Sequence, residues 1–182
     1  MKKLLLLAPL ALAACNSGPT VEASNASVKE VADKVAASGG AMSLTPGRWE
    51  GNVTIAEMEI PGLPPEAAAK MKEGLAKGEA IISCLTPEEA KKPSAEFFAR
   101  DNKDCRYDHF NMTNGRIDAK MQCKSGGSTV DATMVGQFSS DSYQMTMTSK
   151  SAGAADQPMS AHKMTMKIDA RRTGECKGDE KS

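Results

Sequence analysis

Methionine and histidine residues in the C-terminal third have types and a spacing that could bind a soft metal ion. Met145 and Met147 are two residues apart, and His162, Met164 and Met166 repeat that spacing further along the chain. Alternate residues of a β-strand point to the same face, and thioether ligands suit Cu(I). Methionine is also a flexible filler of apolar cores, and these positions are the apolar ones of two predicted strands. The sequence therefore favours a core role and no cofactor, with copper as the alternative.

Four cysteines could form disulfide bonds, and a fifth lies apart from them near the N-terminus. The four are Cys84, Cys105, Cys123 and Cys176, an even number that predicts two disulfides in an exported chain. Their spacing lacks the tight C-x-x-C pairs of many zinc sites. If consecutive strands are neighbours, the first three cysteines lie at one end of the sheet, which favours Cys84–Cys105 with Cys123–Cys176. A direct Cys105–Cys123 bridge across a hairpin is the main alternative.

The fifth cysteine, Cys15, ends a segment with the features of an export signal. Two lysines precede the apolar run Leu4–Leu12, which is about half of the roughly 20 residues that a transmembrane helix needs. The tetrad Leu12-Ala13-Ala14-Cys15 resembles the lipobox of bacterial lipoproteins, in which the cysteine carries acyl chains and becomes the first residue. Asn16 behind it resembles the outer-membrane sorting signal of enteric bacteria. The resemblance implies an outer-membrane lipoprotein of the cell envelope that faces the periplasm and is attached to the membrane through Cys15.

The composition argues against nucleic acid as a partner. The chain has 23 acidic and 23 basic residues, and two of the basic ones leave with segment 1–14. The slightly acidic remainder contains one Trp, two Tyr and four Phe, so it lacks both the basic surface and the stacking platform that single-stranded nucleic acids need. The remaining partners are the membrane, an apolar small molecule or another envelope protein, and the sequence does not indicate an oligomeric state.

The period of the apolar residues divides the chain into four parts. Residues 1–14 form the signal peptide, and the small, polar segment 15–44 is predicted to be the lipidated N-terminus and a tether, with one short helix that starts at a Ser27–Glu30 capping box. Apolar and polar residues alternate through 45–177, which predicts an all-β domain, and 178–182 is a charged tail. We predict a single antiparallel meander of six to seven strands, curled into a half-barrel or small barrel with short helices in the connections. A sandwich is the alternative.

The turn signals place two hairpins in register. A three-residue loop around Asn114-Gly115 predicts that Cys105 pairs with Cys123, Tyr107 with Met121, His109 with Ala119, and Asn111 with Ile117. In the second hairpin, a turn over Ser139–Ser142 sets the strand that ends at Phe138 against the strand that begins at Tyr143. Short helices are predicted over Glu66–Lys77 and after a Thr86 cap.

Several strings of this sequence resemble one family of exported proteobacterial proteins, the domain of unknown function 3617 family. They are "PGRWE" (46–50), "PGLPPEAAAKM" (61–71), "CLTPEEA" (84–90), "SSDSYQMTM" (139–147) and "ARRTGEC" (170–176), together with Cys105 and Cys123. The resemblance implies an envelope location and a shared fold. It carries no known reaction, ligand or catalytic residue.

The sequence favours a non-catalytic role, either binding or structural, in the periplasm. An alternative to a filled core is that a curled sheet lined by methionine holds an acyl chain or another apolar molecule, with the helix Glu66–Lys77 as a lid. An enzyme is the least supported class. Histidine is the residue type best suited to proton transfer near neutral pH, and neither His109 nor His162 lies in a recognisable nucleophile motif.

Overall fold

Within the residues that the structure describes, eight antiparallel strands form one open sheet in the order β1-β4-β5-β6-β7-β8-β2-β3. The structure is a computed structural model, and it describes residues 19–39, 42, 44–76, 78–91, 103–125, 127–153 and 161–180. The strands are β1 (Thr20–Ser27), β2 (Gly47–Glu59), β3 (Glu79–Leu85), β4 (Cys105–Thr113), β5 (Arg116–Ser125), β6 (Ser128–Phe138), β7 (Ser142–Ser151) and β8 (His162–Gly174). The helices are α1 (Val28–Ala37), α2 (Pro65–Ala76) and α3 (Pro87–Lys91).

The predicted all-β class with short connecting helices is confirmed, and the sheet is open, with β1 and β3 at its two edges. It is a meander only from β4 to β8, because β2 and β3 pair beside β8 and β1 pairs beside β4. Within the segment 15–44, β1 and α1 are part of this fold, so the stretch that they cover is not a tether. The alternation in β1 is hard to detect because its buried residues are small: Val21, Ala23 and Ala26.

Helix α1 covers one part of the sheet, and the sheet face that it contacts is called the inner face below. The predicted capping box is confirmed, since the Ser27 hydroxyl accepts from the Glu30 N–H and the Glu30 carboxylate accepts from the Ser27 N–H. The Lys34 ammonium donates to the Glu22 carbonyl of β1, which holds the helix against the strand it follows. The apolar side of α1 is buried in one cluster with β1, β4 and β5; its members on the helix are Val28, Val31, Ala32 and Val35.

The β4–β5 hairpin differs from the predicted register near its turn. Tyr107 pairs with Met121 and Cys105 with Cys123 as predicted, but Phe110 pairs with Ala119 and Met112 with Ile117. A two-residue turn of Asn114 and Gly115, both with positive φ, replaces the three-residue loop, and a bulge between Tyr107 and His109 absorbs the difference. The bulge turns the large side chains of Phe110 and Met112 into the core, where both are fully buried. The second hairpin has the predicted register.

Two disulfide bonds are present, as predicted, but the favoured pairing is wrong. The bonds are Cys105–Cys123 and Cys84–Cys176. The prediction placed β3 beside β4, whereas these strands lie at opposite sides of the sheet. Because β8 runs antiparallel to β2, its end at Gly174 reaches Arg48 at the start of β2, and Arg48 also pairs with Cys84 of β3. Cys176 therefore meets Cys84.

Charged groups hold the C-terminal segment against the start of β2. The buried guanidinium of Arg48 donates to Glu50, Asp179 and Glu180, so part of the predicted tail 178–182 is packed on the domain. The Lys177 N–H, with further backbone donors and Arg48, lowers the pKa of Glu180 to about 2, so this carboxylate stays ionised. At Gly47 (φ +135°) a Cβ would collide with the Arg172 side chain.

Candidate functional site

The inner face has two different ends, which are named here after one residue each. The Thr20 end carries Thr20, the Asn114-Gly115 turn, the Ser139–Ser142 turn and the start of β2. The His162 end carries His162, Ser151, Cys105 and Cys123, and the last residue of β2, Glu59. The residues between these ends differ in how well they are covered.

Aromatic side chains close the Thr20 end. The ring of Tyr143 in β7 lies 5.5 Å from that of Phe138 in β6 and 5.7 Å from that of Trp49 in β2. Trp49 is buried, and its indole N–H donates to the Thr45 carbonyl at 3.1 Å. Met42 belongs to the buried core cluster that also contains Phe138, and Leu44 packs against that cluster. This end of the inner face is a filled core.

The inner face is only partly buried toward the His162 end, over β7, β8 and β2. Met147 lies directly opposite Met166, Met166 opposite Ile55, and Met164 opposite Met58. Because cross-strand neighbours in register share a face, these side chains form one apolar surface. We call it the methionine patch; its members are Val53, Ile55, Met58, Met147, Met164 and Met166, and each is intermediate between buried and exposed.

Helix α2 contacts β2, one of the three strands that carry the methionine patch. Strand β3 stops pairing at Val53, so the second half of β2 has an edge that no described strand occupies, and α2 contacts β2. Two residues of the predicted apolar side of α2 do not pack against the sheet, because Ala67 is exposed and Met71 is 38% exposed. The predicted helix is confirmed from Glu66 to Ala76. Its role as a lid stays a prediction.

The five residues considered for copper share the inner face. Met145 is buried and faces Ile168, whereas Met147, Met164, Met166 and His162 are half-exposed. Met134 of β6, which was not among the copper candidates, pairs with Met147, so that Met134, Met147 and Met166 form a row across three neighbouring strands. Among the residues described, no group of three or more His, Cys, Asp or Glu side chains could hold a metal ion.

One patch member, Met58, was missed because of a local irregularity in β2. The alternation of β2 breaks at Ala56, where a bulge puts Glu57 opposite Thr165 and returns Met58 to the inner face. Met134 follows the alternation of β6 that the sequence already showed. A count of methionines at the apolar positions of all strands would have found it.

The two histidines lie far apart on different faces. His109 does not face the apolar row as predicted, because the bulge in β4 pairs it with Lys120 on the outer face, where its Nε2 is 3.1 Å from the Asp118 carboxylate. His162 lies at the end of β8 opposite Ser151. Cys84, Cys105, Cys123 and Cys176 are bonded as disulfides and offer no thiolate nucleophile.

The outer face is polar toward the Thr20 end, behind the aromatic side chains of the inner face. Gln137, Gln144, Asp169 and Asn52 follow one another across β6, β7, β8 and β2. They line shallow, open grooves with exposed side chains. The two faces of the same strands thus present opposite chemistry, polar outside and apolar inside.

Comparison with known protein families matches residues 44–176 to a family described as "Protein of unknown function (DUF3617)". The match spans β2 to β8, and β1 and α1 lie before it. No curated protein and no solved structure matches the chain. In the ranges that the structure describes, no helix has the length and apolar character to cross a membrane, and Cys15 lies outside those ranges.

Proposed function

We propose that this chain, which belongs to the DUF3617 family, is a non-catalytic, lipid-anchored binding protein that holds an acyl chain or similar apolar molecule on the methionine patch. The observation that carries the proposal is the contrast along the inner face. Phe110, Met112, Ile117 and Ala119 are almost completely buried in the cluster that contains the apolar side of α1, whereas the patch on the same face is only partly buried. An apolar surface of this kind next to a filled core is typical of a site for an apolar ligand.

The dimensions of the patch suit a chain-like ligand. It spans three strands, about 10 Å, and the five residue steps from Val53 to Met58 run about 17 Å along β2. Moving ten methylenes from water onto the patch contributes at most about 8 kcal/mol of favourable binding free energy. This gain is comparable to the cost of roughly 4–15 kcal/mol for the translational and rotational freedom that is lost on association. Flexible thioether side chains adapt to such ligands without a fixed shape.

The location in the proposal depends on the N-terminal segment. The lipobox resemblance of Leu12–Cys15 supports an acylated Cys15 on the outer membrane, with the domain in the periplasm. Two disulfides support an oxidising compartment. An apolar molecule that crosses this aqueous space needs a protein surface that shields it from water.

The first test compares two glutamine substitutions at adjacent residues of β7. Met147→Gln places an amide on the patch, while Thr146→Gln places the same side chain on the outer face. We expect Met147→Gln to weaken binding of a fluorescent fatty acid about tenfold, equivalent to about 1.4 kcal/mol. Thr146→Gln should leave the affinity within a factor of two. Equal effects of both variants, with both folded by circular dichroism, would refute the patch as the site.

Copper is a second candidate, and the row Met134, Met147 and Met166 favours it because three thioethers on neighbouring strands are soft ligands for Cu(I). Changing Met145, Met147, Met164 and Met166 together to leucine separates the two functions. If copper is the ligand, this variant loses Cu(I) in competition with a chelator of known affinity. Acyl binding should survive, since leucine is as apolar as methionine. A Cu(I) affinity that does not change ends the copper hypothesis.

A further inference from the structure

The first strand of the sheet starts very close to the residue that would carry the lipid. Five residue steps separate Cys15 from Thr20, and an extended chain covers 3.3–3.6 Å per residue, so the two residues are at most about 18 Å apart whatever path lies between them. A tether of thirty residues would have left the domain free to tumble at a distance from the membrane. With β1 built into the sheet, the Thr20 end must stay near the lipid headgroups.

We propose that the Thr20 end of the sheet is the membrane-facing surface of the protein, and that the methionine patch opens away from the bilayer that holds Cys15. This inference rests on the proposed lipidation of Cys15. Thr20 pairs with Thr113, and Thr113 pairs with Arg116, so the Asn114-Gly115 turn is one strand away from the link. The Gly115 carbonyl accepts from the Phe138 N–H, which places the turn after β6 next to it.

The chemistry of the Thr20 end suits contact with headgroups and not insertion into the hydrocarbon. Its turns consist mainly of Asn, Gly and Ser. The exposed charges nearby are of both signs: Arg116, Arg171, Lys177, Asp141 and Glu175. None of the exposed large apolar side chains of the described structure, Met71, Ile82 and Val135, belongs to these turns. The short link and not charge therefore sets the orientation.

The consequence concerns where the ligand enters. The aromatic cluster of Trp49, Phe138 and Tyr143 closes the inner face at the membrane-facing end. The ten residue steps from Trp49 to Glu59 carry the chain about 33 Å along β2, so Glu59 and the neighbouring α2 lie far from the headgroups. An apolar ligand reaches the patch from the aqueous side and not directly from the bilayer beneath.

Energy transfer from tryptophan tests this orientation in the lipidated chain. Trp49 is the sole tryptophan of the sequence and lies at the Thr20 end. The acceptor is a phospholipid with a dansyl group on its headgroup, included in vesicles. We expect Trp49 to transfer at least threefold more efficiently than the sole tryptophan of the variant Trp49→Phe/Met71→Trp, in which it sits on α2. A 30-residue Gly/Ser spacer between Asn16 and Ser17 should lower transfer from Trp49.

A second measurement covers the case in which Trp49→Phe fails to fold. Vesicles with an amine-reactive headgroup lipid are mixed with the unchanged lipidated chain, and peptides are mapped by mass spectrometry. Lys177 lies at the Thr20 end and Lys70 on α2, and both are exposed, so labelling should favour Lys177. Equal energy transfer from the two tryptophan positions, equal labelling of Lys177 and Lys70, or a preference for α2 in either measurement would overturn the proposed orientation. None of these results would contradict the anchoring. A chain without acyl mass that does not float with vesicles would refute the anchoring, and the orientation with it.

Discussion

Replacing Cys84 and Cys176 together by serine is expected to lower the free energy of unfolding by about 4.6 kcal/mol, because the bond closes a loop of 92 residues and so restricts the unfolded chain strongly. It also joins β3, at the edge of the sheet, to the segment after β8. Without the bond, this segment depends on the Arg48 ion pairs with Asp179 and Glu180. Urea denaturation of both proteins in oxidising buffer measures the difference.

The other disulfide provides the matched control. Cys105 and Cys123 are 18 residues apart within one hairpin, so the same substitution of this pair should cost about 3.2 kcal/mol. The expected order is therefore a larger loss for Cys84/Cys176 than for Cys105/Cys123. The reverse order would show that the C-terminal segment contributes little to the stability of the sheet.

Val31→Gln should destabilise the domain by about 3 kcal/mol, because it exchanges a buried apolar side chain for an amide without a partner. Val31 is 0% exposed in the cluster between α1 and the sheet. The prediction matters because α1 precedes the part of the chain that matches the family. If α1 completes the core of this sheet, Val31→Gln should lower the stability of the whole domain, which thermal unfolding measures.

Lys29→Gln is the control on the exposed side of the same helix. Lys29 forms a surface ion pair with Asp33, and such pairs contribute about 0.3–0.5 kcal/mol. We expect a shift of that size at most. If Val31→Gln were as mild as Lys29→Gln, α1 would be a peripheral attachment, and the contrast between a covered and an uncovered inner face would lose its basis.

Local patterns predicted most of the strands of this protein. Strict alternation in β6, β7 and β8 set their inner residues, and the Asn114-Gly115 and Ser139–Ser142 turns fixed their partners. Non-local order was harder to predict. Nothing in the β2–β3 hairpin indicates that it pairs beside β8, and that placement decides which cysteines meet. Strand β1 was missed because valine and alanine at its inner positions give a weak apolar signal.

The candidate site was predicted in part. The sequence placed Met145, Met147, Met164 and Met166 on one face, and the register confirms that they share it. Alternation alone cannot show which stretch of an apolar face is covered, since that depends on where α1 packs. The two bulges, at Ala56 and before His109, could not be seen either, although they bring Met58 onto the inner face and place His109 outside.

Native mass spectrometry of residues 16–182, exported to a periplasm without lipidation and desalted gently, tests directly whether the protein carries an acyl ligand. We expect a fraction of the protein with an added mass that matches a fatty acid or another acyl lipid, and a loss of that fraction in Met147→Gln but not in Thr146→Gln. A single species at the mass of the chain with two disulfides, which also fails to take up added fatty acid, would contradict it. The methionine patch would then not be a site for an apolar ligand.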